Sequence, residues 1–342
     1  MNIAQPPGHP GAVAWPGALP TPSPRLADSP WRGEQSLPGH VHSSRGYHRH
    51  PVALHQPLPL TSPDNPHLKG VLRLRKHRKG SGLLIAEGVR EVSRALAAGL
   101  HLEELHWSPE LIPSLEAAVP ELDQDRDWFR FYQLPPRLLR KIAYREAPEG
   151  VLGVFRERSW TLVSLGERPV RTDELWLVAA GVEKPGNLGA MARTCAAAGA
   201  DGLLIAGEDI DPFSPNAIRS STGAVFTLPV VAAPDPEIYD FLRRRRAAVV
   251  AATPAAGRRY DSVDLTRSTA LVIGAEDEGV SSYWQACAGP EGCVAIPMAP
   301  GAVDSLNASN AAAVLLFEAV RQRGVPPLSG EEVPPPRGES RG

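Results

Sequence analysis

Between Leu175 and Arg323 the sequence repeats one arrangement: a short apolar run, a loop, and a helical segment. LWLVAAGVE, DGLLIAG, FTLPVV, AVVAATP, TALVIGAE and CVAIPM read as strands, and AMARTCAAAGA, SPNAIRSSTGA, PEIYDFLRRRRAA and SSYWQACA as the helices between them. Strands that are apolar throughout need cover on both faces. Strands separated by helices are joined by crossovers. Together these predict an α/β fold, a parallel sheet flanked by helices. Ligands of such sheets sit outside the carboxyl ends of the strands. Three loops follow strands and so converge on one rim: PGNLG from Pro185 to Gly189, GAEDEG from Gly274 to Gly279, and PMAPGAVDSLN from Pro297 to Asn307.

The last of these loops feeds a closing helix. Asn307 or Ser309 can cap it, because either side-chain oxygen can accept from the free N–H groups of a first turn. Val314, Leu315, Phe317 and Val320 predict a buried stripe at helical spacing, and Arg321 and Arg323 suit the negative end of the helix dipole. A polar Ser305-Leu306-Asn307 turn before so apolar a helix suggests a ligand. The first loop lacks the G-x-G-x-x-G of a dinucleotide site, which argues against a nicotinamide oxidoreductase. The glycine-bearing loops instead offer backbone groups to the edge of an adenine, with little steric hindrance to close approach.

Upstream, HLKGVLRLRKHRKGSG predicts a helix carrying Lys69, Arg73, Arg75, Lys76, Arg78 and Lys79, stopped by Gly80 and Gly82. The alternation from LLIAEG to GVLGVFRE then predicts a small α/β domain over residues 66–157. Clustered cations on one helix are either a solvated face or a phosphate-contacting surface. Residues 158–174 read as a linker and 175–325 as the larger domain. The run Arg243 to Arg246 reads mostly as solvated. Residues 1–65, rich in Pro, Gly, Ser and His, and residues 326–342 cannot bury enough apolar surface to order themselves and are expected to be a disordered extension and tail. The histidines at 42, 48, 50 and 55 could bind metal, but a solvated tail is the preferred reading.

The net charge of −2 gives no global signal for nucleic acid, so the basic segment stands out only locally. Cys195, Cys287 and Cys293 match no zinc spacing and are too few for a disulfide framework. No metal is expected, and reduced thiols suggest the cytoplasm. No apolar run approaches the ~18 residues of a membrane span, and no signal-peptide core opens the chain.

Three motifs in order carry a resemblance: Asn187-x-Gly189-x-x-x-Arg193-Thr194, then Gly274-x-Glu276-x-x-Gly279, then Ile296-Pro297-Met298 followed by Ser305-Leu306-Asn307-x-Ser309. Residues 175–323 resemble the SpoU (TrmH-like) RNA ribose 2′-O-methyltransferases of the SPOUT superfamily. Residues 66–157 are similar to the substrate-binding domain that many members carry. The spacing departs in one place, where Ala299 and Pro300 separate Met298 from Gly301 and relatives usually have one residue. The resemblance implies a C-terminal trefoil knot, a homodimer with its site at the subunit interface, and S-adenosyl-L-methionine as methyl donor. It implies Gly274, Ala275, Glu276, Ile296, Met298, Ser305 and Leu306 as cofactor contacts. Arg193, Asn307, Asn187, Glu276 and Ser305 are then the expected catalytic residues. Relatives are often drawn with the arginine as base. An arginine is charged at neutral pH, which favours a phosphate clamp and hydroxyl orienter. Glu276 either polarises the site or holds Arg193, and Ser305 orients Arg193 across the dimer. Arg73, Arg75, Lys76, Arg78, Lys79 and Arg219 are the expected RNA contacts. Ribosomal RNA is the favoured substrate. A tRNA enzyme, an antibiotic-resistance methyltransferase and a non-catalytic RNA-binding or ribosome-assembly protein are the alternatives.

Overall fold

Asn65 starts the first helix: its side chain accepts from the His67 N–H, and Pro66 supplies a preset first turn. The computed structural model describes residues 56–122, 129–207, 210–299, 301 and 303–324. The expected disorder of residues 1–55 and of the tail, and the four histidines upstream, lie outside the described residues. Order nevertheless begins before residue 66, because strand β1 (Leu58–Pro59) pairs with the strand Arg130–Gln133.

The first lobe continues with α1 (Pro66–Lys76), β2 (Leu83–Glu87), α2 (Val89–Ala97), β3 (Leu102–Trp107), α3 (Leu115–Ala118), β4 (Arg130–Gln133), α4 (Pro136–Ile142) and β5 (Val151–Arg156). Its mixed sheet runs β1-β4-β3-β5-β2. Helix α1 buries Leu68, Val71 and Leu74, which share a core with Leu138, Leu139 and Ile142 of α4. The two helices thus lie side by side and leave their polar faces outward. Helix α1 stops at Lys76, so Arg78 and Lys79, expected on it, follow its end.

The stretch expected to be a linker contains α5 (Leu162–Gly166), which opens on a Thr161/Ser164 capping box. Leu165 of α5 is buried in the core of the second lobe. That lobe comprises β6 (Leu175–Ala180), α6 (Pro185–Ala198), β7 (Gly202–Ala206), α7 (Pro215–Ser220), β8 (Val230–Ala233), α8 (Asp235–Arg244), β9 (Ala248–Ala252), β10 (Thr269–Ile273), α9 (Ser282–Gly292), β11 (Cys293–Val294) and α10 (Ala308–Gln322). The sheet runs β11-β9-β10-β6-β7-β8 with every pair parallel. From β6 the chain builds outward to β8, then returns to build the other side, so the order reverses between β6 and β10. Loops leaving the carboxyl ends of those two strands must diverge, and a crevice opens there.

Several local expectations change. PGNLG is the first turn of α6, not a loop, with Pro185 at its start. The first part of FTLPVV is a 3₁₀ turn (Ala224–Phe226), and the strand begins at Val230. On α10 the buried face is Ala308, Ala312, Leu315, Leu316 and Ala319, while Phe317 is 49% exposed. The arginine run is not all solvated. Arg245 is buried against Glu174, its Nε donating to Glu174 Oε2 at 3.0 Å and its other nitrogens reaching the carbonyls of Arg168 and Pro169. Burial is the largest influence on Glu174 and works against its ionisation, but the Arg245 guanidinium, the Arg171 N–H and the Trp176 indole N–H together outweigh it and hold the carboxyl below the ordinary carboxylate range. A depressed carboxyl stabilises the fold above its ordinary pKa, and that contribution fades as pH falls through the depressed value. Arg245→Met should therefore destabilise the protein by about 3–5 kcal/mol at pH 7, since it strands a buried carboxylate. The loss should shrink in acid, which urea titrations at pH 7 and pH 4 would measure.

Candidate active site

The crevice predicted by the strand order is where three distant segments meet. Asn187, in the first turn of α6, donates to Glu276 Oε1 at 2.7 Å. Asn307, the N-cap of α10, donates to the same oxygen at 2.6 Å and to Asn187 Oδ1 at 3.2 Å. The Asn307 Oδ1 atom is held in turn by the Ser309 N–H at 2.9 Å and hydroxyl at 2.6 Å. One cap therefore serves two purposes: it starts α10 and fixes the amide that reaches the carboxylate. Lys184, just before α6, closes the cluster by an ion pair with Glu276. The Lys184 hydrogen bond first, and the Asn187 hydrogen bond second, hold the Glu276 carboxyl below its ordinary range, while Glu276 raises Lys184.

The loop between β10 and α9 turns back on itself. The Gly279 N–H bonds the Ala275 carbonyl at 3.0 Å, and Gly279 takes φ of 68°. The backbone of Gly279 passes directly over Gly274, where an added Cβ would lie 2.0 Å from the Gly279 carbonyl carbon. Only glycine fits at 274. Beside this turn lies a cavity of about 420 Å³, walled by Ile273–Val280, Ile296, Met298, Asp304–Leu306, Ala308 and Ala311, and by Ala252–Ala255 after β9. Its volume falls in the range of small-molecule sites. Apolar side chains and main-chain atoms form most of the wall, and Glu276, Asp277, Glu278 and Asp304 add carboxylates. A second recess of about 230 Å³ shares Ala275–Glu278 and Ala308 with it and is lined by Gly181–Lys184 and Asn187. Two adjoining compartments around one hydrogen-bonded cluster can hold a donor and an acceptor side by side.

The model of the SpoU rRNA methylase family matches residues 174–317, and that of the MRM3-like substrate-binding domain matches residues 65–153. The 23S rRNA (uridine(2479)-2′-O)-methyltransferase of Streptomyces viridochromogenes is 34% identical over 271 residues, covering 75% of this chain and 88% of that protein. The chain belongs to the SpoU rRNA methylase family. A crystal structure of an RNA 2′-O ribose methyltransferase is 38% identical, with a TM-score of 0.67, covering 78% of this chain and 99% of that one. The S-adenosylmethionine-bound rRNA methyltransferase of Sinorhizobium meliloti is 30% identical, with a TM-score of 0.67, covering 77% of this chain and 97% of that one.

In this SpoU protein all seven residues expected to touch the cofactor, Gly274, Ala275, Glu276, Ile296, Met298, Ser305 and Leu306, line the larger cavity. Asn187, Glu276 and Asn307 meet by hydrogen bonds. Arg193 does not join them. It is exposed, and its side chain makes no hydrogen bond to Glu276 or to any other described residue. The reason is helical geometry: six residues beyond Asn187 on α6, it projects about 240° around the axis and ~9 Å along it. Glu276 therefore holds Lys184, not Arg193. Ser305 is also exposed.

Of the expected RNA contacts, Arg73 and Lys76 are exposed on α1, Lys79 is exposed beyond it, and Arg219 is exposed on α7. Arg75 stacks over Tyr144 at 4.6 Å. Arg78, expected to touch RNA, is instead 8% exposed and paired with Asp211 and Glu157, so it cannot face a phosphate. Other residues of these surfaces were not among the expected ones. Lys184 carried a signal in its place before a helix-starting proline. The Thr253–Ala255 wall follows a strand like the other rim loops. Arg137, Arg140 and Lys141 are exposed on α4, which packs against α1 and extends its cationic face.

Proposed function

We propose that this SpoU methyltransferase transfers the methyl group of S-adenosyl-L-methionine to a ribose 2′-OH of structured ribosomal RNA. The observation that carries the reading is the meeting of the 187, 276 and 307 segments beside a cavity whose lining suits that donor. Main-chain groups around Gly274, Ile296 and Leu306, which line the cavity, are the expected partners of an adenine edge. The carboxylates at the cavity wall suit a cationic sulfonium, which brings an electrophilic methyl when bound. Asn187 and Lys184 line the neighbouring recess, where the acceptor ribose would sit. There a 2′-OH can both donate and accept a hydrogen bond. The partner subunit's Arg193 clamps the RNA phosphate and orients the hydroxyl for in-line attack. The exposed cations of α1 and α4 hold the flanking RNA. Relatives named as 23S rRNA 2′-O-methyltransferases support ribosomal RNA as the substrate.

Two finer features belong to the same reading. The second lobe ends in a C-terminal trefoil knot, a reading supported by residues 274–279 and 304–306 lining one cavity. The protein acts as a homodimer, with Ser305 orienting the partner's arginine. The exposed Phe317 on α10 and Val303 before it supply apolar surface for that contact. Phe317→Asp should convert the dimer to monomers by burying a charge in the interface, and sedimentation velocity would register the change. Calorimetry tests the cofactor assignment: saturable 1:1 binding of S-adenosyl-L-methionine per chain is expected, and no heat at millimolar ligand would refute it.

A further inference from the structure

Helix α7 stands between the two lobes, and each end is held by an arginine from the first lobe. Before its start, Asp211 receives the Arg78 guanidinium through two bonds, Nε to Oδ2 at 2.7 Å and a second to Oδ1. The remaining Arg78 nitrogen donates to Glu157 Oε2 at 2.7 Å and to the Leu83 carbonyl at 3.2 Å. Beyond its end, Arg94 of α2 donates to both the carbonyl and the hydroxyl of Thr222, each at 2.6 Å. Thr222 takes φ of 52° to present them. At Gly223 the lobes come so close that an added Cβ would sit 3.2 Å from the Arg94 Cβ.

The other side of α7 presses on α6. A Cβ on Gly189 would meet the Ala217 carbonyl at 2.4 Å and the Ser220 hydroxyl at 1.9 Å, so no side chain separates the two helices. Asn187 lies two residues earlier, bonded to Glu276. A continuous run of close contacts therefore joins the cationic lobe to the active-site cluster. Planar, forked guanidinium pairs hold orientation as well as proximity.

We infer that Arg78 and Arg94 are positioning residues: they dock the cationic lobe rigidly on α7 and so fix the spacing between the α1/α4 surface and the Asn187–Glu276–Asn307 site. The substrate must then be an RNA folded to fit both surfaces at once. The inference rests on the methyltransferase reading above. It makes the fixed spacing a source of affinity, because a second contact on a preset frame binds at high effective concentration.

The test uses the full chain with in vitro transcribed, unmodified 23S rRNA. The variant R78M/D211N/R94M removes both clamps without leaving the Asp211 charge unpaired. Its KM for RNA should rise about tenfold or more, while kcat at saturating RNA and the Kd for S-adenosylmethionine stay within about twofold. Arg94→Lys in an otherwise intact chain, which keeps an N–H donor for Thr222, should leave the KM for RNA within about twofold of that of the unaltered protein. An unchanged KM for RNA would overturn the inference. So would a parallel loss of cofactor affinity, which would mean that the clamps merely support the fold. Absence of transfer by the unaltered protein would instead defeat the underlying reading.

Discussion

Arg193→Ala should lower methyl transfer by about 10²–10³-fold or more, the scale seen when a preorganised charge is removed from a reacting centre. Binding of S-adenosylmethionine should be unaffected, because Arg193 lies outside the cavity wall and its side chain bonds to no described residue. That separation gives the experiment its force. An exposed arginine whose side chain has no partner among the described residues can be removed without disturbing packing, so a loss of turnover reports on the RNA side of the reaction. Arg193→Lys should recover only part of the rate, since a point charge cannot reproduce the planar fork at a phosphate. Single-turnover transfer from labelled donor, with calorimetry on the same preparations, measures both quantities.

The second large effect is expected at Gly274. Adding a methyl there places a carbon 2.0 Å from the Gly279 carbonyl carbon, 2.1 Å from its oxygen and 2.2 Å from the Val280 nitrogen. These are backbone atoms that cannot swing aside, so the loop from Gly274 to Val280 must open. That loop supplies a wall of the larger cavity and carries Glu276 to its partners. Gly274→Ala should weaken S-adenosylmethionine binding by about 100-fold or more, equivalent to ~2.7 kcal/mol. Gly186→Ala is the control, because a Cβ at 186 meets nothing within 4 Å. It should leave binding intact and, as a helical Gly→Ala change, stabilise the fold by about 0.5–1 kcal/mol. Thermal melts with and without ligand distinguish the two.

Much of this site was legible because it depends on local chemistry at strand ends. Apolar runs separated by helices specify a parallel sheet, and the carboxyl ends of its strands specify where loops gather. Asn307 announced itself as a cap before an apolar helix, and glycines marked the turn at 274–279. What escaped depends on partners distant in sequence. Arg78 belongs to a run of cations and has no local mark that Asp211 lies opposite it in the fold. Arg245 likewise sits among three exposed arginines, and only the position of Glu174 sets it apart. Phe317 shows the limit of periodicity, which identifies an apolar stripe but not which edge of it another element covers. PGNLG was a different kind of miss. Two glycines suggested a loop, but Pro185 in the first turn favours a helix, and Gly189 is there for close packing on α7.

On the proposed reading, one pocket built by the segments around Asn187, Glu276 and Asn307 brings a sulfonium donor to a sugar oxygen. The direct measurement is incubation of unmodified 23S rRNA with the protein and methyl-labelled S-adenosylmethionine, followed by digestion to nucleosides and chromatography. The label should appear in a single 2′-O-methylnucleoside and disappear with Gly274→Ala. Label on a base, or none on the RNA, would contradict the account.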